Sequence, residues 1–163
     1  MTGGLAFFGR EHDTATLLRR GLLGLAALGI AGTTVELIFL RHWSSTTQLI
    51  VWSGVLALLA ALAVLVRDPA ARTVRAARIL SMVVVVIAVL GVGLHVLGNL
   101  DAGPLDRKYA ATWYGLGAIQ QWWLAITGGV GPAPVLAPGA LAEIALCVLL
   151  ATLRHPALGP ARD

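Results

Sequence analysis

Residues 79–100 read ILSMVVVVIAVLGVGLHVLGNL and contain no Asp, Glu, Lys or Arg. A helix rises ~1.5 Å per residue, so a run of this length covers the ~30 Å hydrocarbon thickness of a bilayer. Only helices and closed barrels satisfy their backbone groups in lipid, and the block Met82–Leu90 lacks the in–out alternation of a barrel strand. The stretch therefore predicts a membrane-spanning helix. Three further apolar segments, Gly21–Leu40, Leu49–Val66 and Leu136–Leu153, have the same character. The expected fold class is an all-α, polytopic membrane protein, a bundle of four transmembrane helices.

Composition points the same way. Of 163 residues, 58% are hydrophobic and 12% charged, against about 45–50% and about 25% in soluble domains. So few charges cannot cover a water-facing surface. An ordinary soluble enzyme, a nucleic-acid-binding module and a disordered tail are excluded. The net charge of +4 resides in arginines that cluster at the ends of the apolar segments, where basicity is a topology signal and not a phosphate-binding surface. The single cysteine, Cys147, leaves no internal disulfide and no CxxC site.

The arginines also orient the chain. Arg10, Arg19 and Arg20 precede the first segment, Arg67, Arg72, Arg75 and Arg78 join the second to the third, and Arg154 and Arg162 follow the fourth. The opposite side has only Arg41, Arg107 and Lys108. The positive-inside rule then places both termini in the cytoplasm. Trp43, Trp52, Trp113, Trp122 and Trp123 all fall toward the outer half, where amphipathic rings favour the interface. Arg19-Arg20-Gly also has the look of a twin-arginine export signal, but no clear small-x-small cleavage site follows it.

The expected organisation is a cytoplasmic segment over 1–20, three spans within 21–100, an outer loop over 101–137, a fourth span over 138–153 and a tail over 154–163. Within the loop, Tyr109–Thr127 has no proline, and Trp113, Leu116, Gln120 and Trp123 follow helical spacing. An amphipathic interfacial helix is expected there, with Trp113, Trp122 and Trp123 lying on the outer leaflet or forming a lid.

Ionisable groups inside a span are expensive and mark candidate sites. Counted from the nearest inner arginine, Glu36 lies ~24 Å up its helix, His95 ~26 Å and Glu143 ~17 Å. Glu36 shares a stripe with Gly29 and Gly32, His95 lies over Gly91, and Glu143 is flanked by Gly139, Ala140 and Cys147. Small residues mark faces where helices approach closely, so the three are expected to point into a shared pocket at the outer end. His42, Gln48, Trp52 and Asn99 are the further pocket candidates. Glu36, His95 and Glu143 are chemically suited to a divalent transition metal, though no HxxxH, ExxH or CxxC spacing supports one. His42 with His95 is a possible axial pair for a haem, and His95 with Trp52 a possible quinone or lipid head-group contact. The plainer reading is a register-fixing network in which Glu36 pairs with Arg41 or His95 and Glu143 is protonated.

Arg41-His42-Trp43 with Gln48 and Trp52, and His95-Val-Leu-Gly98-Asn99, resemble an uncharacterised family of small bacterial four-helix integral membrane proteins. In that family an H-W…Q…W outer hairpin accompanies an H-x-x-G-N end to the third helix. The resemblance extends over roughly Gly21 to Pro156 and implies the four-helix fold without implying a reaction. The functional expectation is an accessory or structural subunit of a membrane assembly. Its partners would be the lipid bilayer and other membrane subunits or further copies of itself, and not nucleic acid. A metal- or cofactor-binding redox protein is the alternative.

Overall fold

The computed structural model describes residues 4–159, with side chains from Thr14 onward. The side chains of Arg10 and His12, and the whole of Arg162, lie outside the described residues. Five α-helices follow in order: α1 (Gly4–Phe39), α2 (Thr46–Arg67), α3 (Ala71–Ala102), α4 (Ala118–Ile126) and α5 (Ala137–Ala151). No strand occurs among the described residues. Thr14–Phe39, Thr46–Arg67 and Ala71–Leu105 are each long and apolar enough to cross a membrane, while Ala137–Ala151 is a shorter apolar helix. The chain is a helical membrane protein.

α1 ends where the His42 N–H reaches back to the Leu37 carbonyl at 2.9 Å and the Arg41 N–H to that of Ile38 at 3.0 Å. These are the two bonds of a Schellman stop, with Arg41 in the left-handed position (φ 48°) that glycine usually takes. Ser45 then caps α2 by accepting the Gln48 N–H. At the other end of α2, Asp68-Pro69-Ala70 is the only break before α3 begins at Ala71. The sequence reading put Arg72, Arg75 and Arg78 in a connecting loop, but all three belong to α3. Arginine is a good helix former, and Pro69 cannot continue α2 yet is tolerated just ahead of a new helix.

α5 is the central helix. A Cβ on Gly29 of α1 would lie 2.6 Å from Ile144, one on Gly54 of α2 would lie 2.9 Å from Leu141, and one on Gly91 of α3 would lie 3.0 Å from Pro138. Three helices thus bring their backbones against the large side chains of α5. Leu58, Val84, Leu141 and Val148 are among the fully buried side chains of the resulting core.

A second apolar cluster, centred on Val96, Trp113, Ala125, Val130 and Val135, sits at the far end of α3 from its arginines. The continuous helix expected over Tyr109–Thr127 is not formed. Trp113–Gly115 is a single 3-10 turn, Gly117 interrupts the path, and only Ala118–Ile126 is α-helical. Trp113 is accordingly separated from the other two tryptophans. It is 4% exposed and packs flat against Gly103, where no Cβ would fit, whereas Trp122 and Trp123 are 47% and 66% exposed.

Candidate functional site

At the tryptophan-bearing end, the α1–α2 turn is held by the residues singled out from sequence. The Trp52 indole N–H donates to the His42 carbonyl at 2.7 Å, and the Trp43 and Trp52 rings lie 6.5 Å apart, tilted by 45°. Gln48 Oε1 accepts from both the backbone N–H and the hydroxyl of Ser44, at 2.7 and 2.9 Å. The His42 imidazole is held below its ordinary pKa, first by partial burial and then by the nearby His95.

His95 and Asn99 lie one turn apart on α3 and both face the irregular segment that leads into α5. His95 Nδ1 is 2.8 Å from the Pro134 carbonyl. A carbonyl only accepts, so Nδ1 is the donor in this bond. Asn99 is fully buried and makes three bonds: Nδ2 donates to the carbonyls of Ala125 (3.1 Å) and Ala133 (3.0 Å), and Oδ1 accepts the Ala133 N–H (2.9 Å). Gly131 is pressed against Asn99 so closely that a Cβ would overlap it, and its φ of +76° is a second reason for glycine. Buried non-helical backbone needs partners for its N–H and C=O groups. These two side chains supply them.

Glu36 and Glu143 do not join this group. Both are exposed, and neither carboxylate has a hydrogen bond or ion pair among the described residues. Among those residues, no three His, Cys, Asp or Glu side chains are placed to hold one metal ion. The convergence of Glu36, His95 and Glu143 on a shared pocket is therefore corrected, and so is the pairing of Glu36 with Arg41 or His95. The reason is helical phase. The inward face of α5 is set by Leu141, Ile144, Ala145 and Val148, all buried. Glu143 is 100° round the helix from Ile144, on the side away from that face, and takes Ala140 with it. Residue size does not set the faces of α5: Ala145 and Ala151 are buried, while Leu146 and Leu150 are exposed. On α1, Gly29 of the expected stripe packs against a neighbour, while a Cβ on Gly32 would meet nothing.

A polar contact missed from sequence lies at the arginine-rich end. Arg19 of α1 donates to the carbonyls of Ala151 (3.1 Å) and Arg154 (3.3 Å). Arg78 of α3 donates to the Thr152 hydroxyl at 2.9 Å and to the Thr152 carbonyl. Two guanidiniums from different helices thus satisfy the last carbonyls of α5, at the negative end of its dipole. His155, beside them, is held below its ordinary pKa by burial and then by Arg19 and Arg78. The only signal in the sequence was arginine close to two span ends, which reads first as topology.

Compared with family models, curated proteins and solved structures, the chain has no match. The geometry alone supports a reading. His95, Asn99, Gln48 and Trp52 are engaged with the chain's own backbone, and two carboxylates face away from it.

Proposed function

We propose that this protein is a structural or accessory subunit of a membrane assembly, built from four crossings with both termini in the cytoplasm of a bacterial inner membrane. The observation that carries the reading is Glu143. It sits eight residues before Ala151, the residue whose carbonyl Arg19 holds, so it lies ~12 Å in from the arginine-rich edge. An ionised carboxyl facing hydrocarbon at that depth costs several kcal/mol unless something covers or protonates it, and Glu143 is exposed among the described residues.

The fourth crossing combines α5 with the segment that precedes it. Fifteen residues of α5 span ~22 Å, short of a ~30 Å core. The remainder falls to the segment around 128–136, whose backbone groups are bonded to Asn99 and His95. α4 lies along the outer interface, with Ile119, Trp122 and Trp123 exposed toward lipid. The resemblance to small four-helix membrane proteins is in keeping with this arrangement. Because His95, Asn99, Gln48 and Trp52 already have backbone partners, the reading assigns these four to the fold and not to a bound metal, haem or quinone.

The test is the mass of the protein extracted from its native membrane in native-lipid discs. A subunit sediments as a complex well above the 17.0 kDa of one chain. A single chain alone in its disc overturns the reading.

A further inference from the structure

The face that carries Glu143 can be mapped from three contacts. On α5, Ile144 meets α1, Leu141 meets α2 and Pro138 meets α3. At 100° per residue these side chains follow one another round the helix in that order, and Glu143 falls on the far side of the α1 contact from α2 and α3. On α1, Gly32 and Glu36 lie just outside the stripe through Gly29 that meets α5. Nearer the arginines, an open apolar groove of about 350 Å³ runs over the same side of α1, lined by Thr14, Leu17, Leu18, Gly21, Leu22 and Leu25. The groove of α1 and the Glu143 side of α5 therefore form one continuous face that no other described helix covers. Gly21 and Gly32 on it meet no other atom that would explain a residue without a side chain. In a helix interior such a residue costs about 1 kcal/mol relative to alanine.

Resting on the subunit reading, we propose that this α1/α5 face docks a transmembrane helix of a different protein, one that carries a Lys or Arg near mid-span to pair with Glu143. Charge complementarity selects the occupant. The apolar segments of this chain contain no Lys or Arg at all, so a second copy offers no cation at the depth of Glu143. The nearest imidazole by depth, His95, is engaged with Pro134 and lies ~12 Å higher by residue count. A symmetric pair of copies through this face would instead bring like carboxylates together. A basic side chain on a helix seated against Gly21, Gly32 and Ala140 satisfies both the charge and the close approach.

The test places a photo-crosslinking amino acid at Ala140 or Leu146, which flank Glu143, and at Val86 of α3 as a distant exposed control, in cells that make the native assembly. The proposal expects an adduct with another protein from the first two positions and not from Val86. The captured segment, located by mass spectrometry, must be a membrane span with a Lys or Arg near its middle. Glu143→Lys should lower the adduct by more than about tenfold, the scale on which unpairing a buried charge acts, and changing the partner's basic residue to Glu should restore it. Glu143→Gln, which keeps the shape, reports whether the chain still folds. An adduct with a second copy, or with a span lacking any basic residue, overturns the proposal while leaving the subunit reading intact. Labelling of Glu143 by a lipid-soluble carbodiimide in the native membrane also overturns it, because that reaction needs a protonated, uncovered carboxyl. A single chain in the native-lipid disc would sink the subunit reading and this proposal together.

Discussion

Asn99 and Ala133 exchange two hydrogen bonds, the Ala133 N–H donating to Oδ1 at 2.9 Å and Nδ2 donating to the Ala133 carbonyl at 3.0 Å. The amide side chain thereby takes the place of a neighbouring strand for a backbone that has none. A third bond to the Ala125 carbonyl ties the end of α4 to the same point.

Replacing that amide by a shape-similar apolar group leaves a buried N–H and two carbonyls without partners. Asn99→Leu is expected to destabilise the protein by about 2–4 kcal/mol, read as a lower unfolding midpoint in detergent. Gly131→Ala, which adds both an overlap with Asn99 and a strained φ, should cost at least about 1–3 kcal/mol.

The hold on α5 at the arginine-rich end makes a separate prediction. Arg78→Ala removes the donors to Thr152, which is fully buried, and should cost about 1–3 kcal/mol. Arg78→Lys should recover only part of this, since an ammonium cannot reproduce the planar fork of donors. Proteolysis at the α5 C-terminus, around Leu153–His155, should rise in step with the loss.

At the α1–α2 turn, Trp52→Phe keeps an aromatic ring near Trp43 but deletes the donor to the His42 carbonyl. The expected loss is about 1 kcal/mol. Trp52→Leu, which also removes the ring contact, should lose more, and unfolding midpoints of the two variants compared with wild type check the order.

Two imidazoles outside the spans give a pH dependence. His42 and His155 are both held below the ordinary histidine pKa of about 6.5 in the folded protein, so the unfolded chain binds protons more readily. Their contribution to stability is complete above about pH 6.5 and is lost as the pH falls below it, through the lower pKa of the folded protein. Unfolding midpoints measured from pH 8 to pH 5 should decline on the acid side, and His155→Gln and His42→Gln should each flatten the decline.

How far the sequence carries the account differs by element. Apolar length alone locates α2 and most of α1 and α3, because a span must be long and free of charge wherever its partners are. The start of α3 is hidden because Arg72, Arg75 and Arg78 look like a loop when basic residues are read only as topology. Helical phase is the weakest inference. Glu143 shares its face with Ala140 and Gly139, which suggests close packing, yet the inward face of α5 is decided by which neighbours surround it, a tertiary fact. His95 and Asn99 are legible as special polar residues at the end of α3. Their partners are not, since backbone carbonyls of an irregular segment leave no mark on residue identity. The role of Arg19 and Arg78 is hidden for the same reason.

The central claim is that Glu143 points out of the bundle. Its most direct test is a nitroxide at Glu143→Cys, in a Cys147→Ala background, in the purified protein reconstituted into bilayers. Collisional relaxation by oxygen, which concentrates in hydrocarbon, reports whether the label meets lipid. The account predicts relaxation as strong as for a label at Leu150, which is 51% exposed on the same helix. A label at 143 that is immobile and shielded from oxygen, while the one at 150 is not, would place the carboxylate inside the bundle and contradict the account.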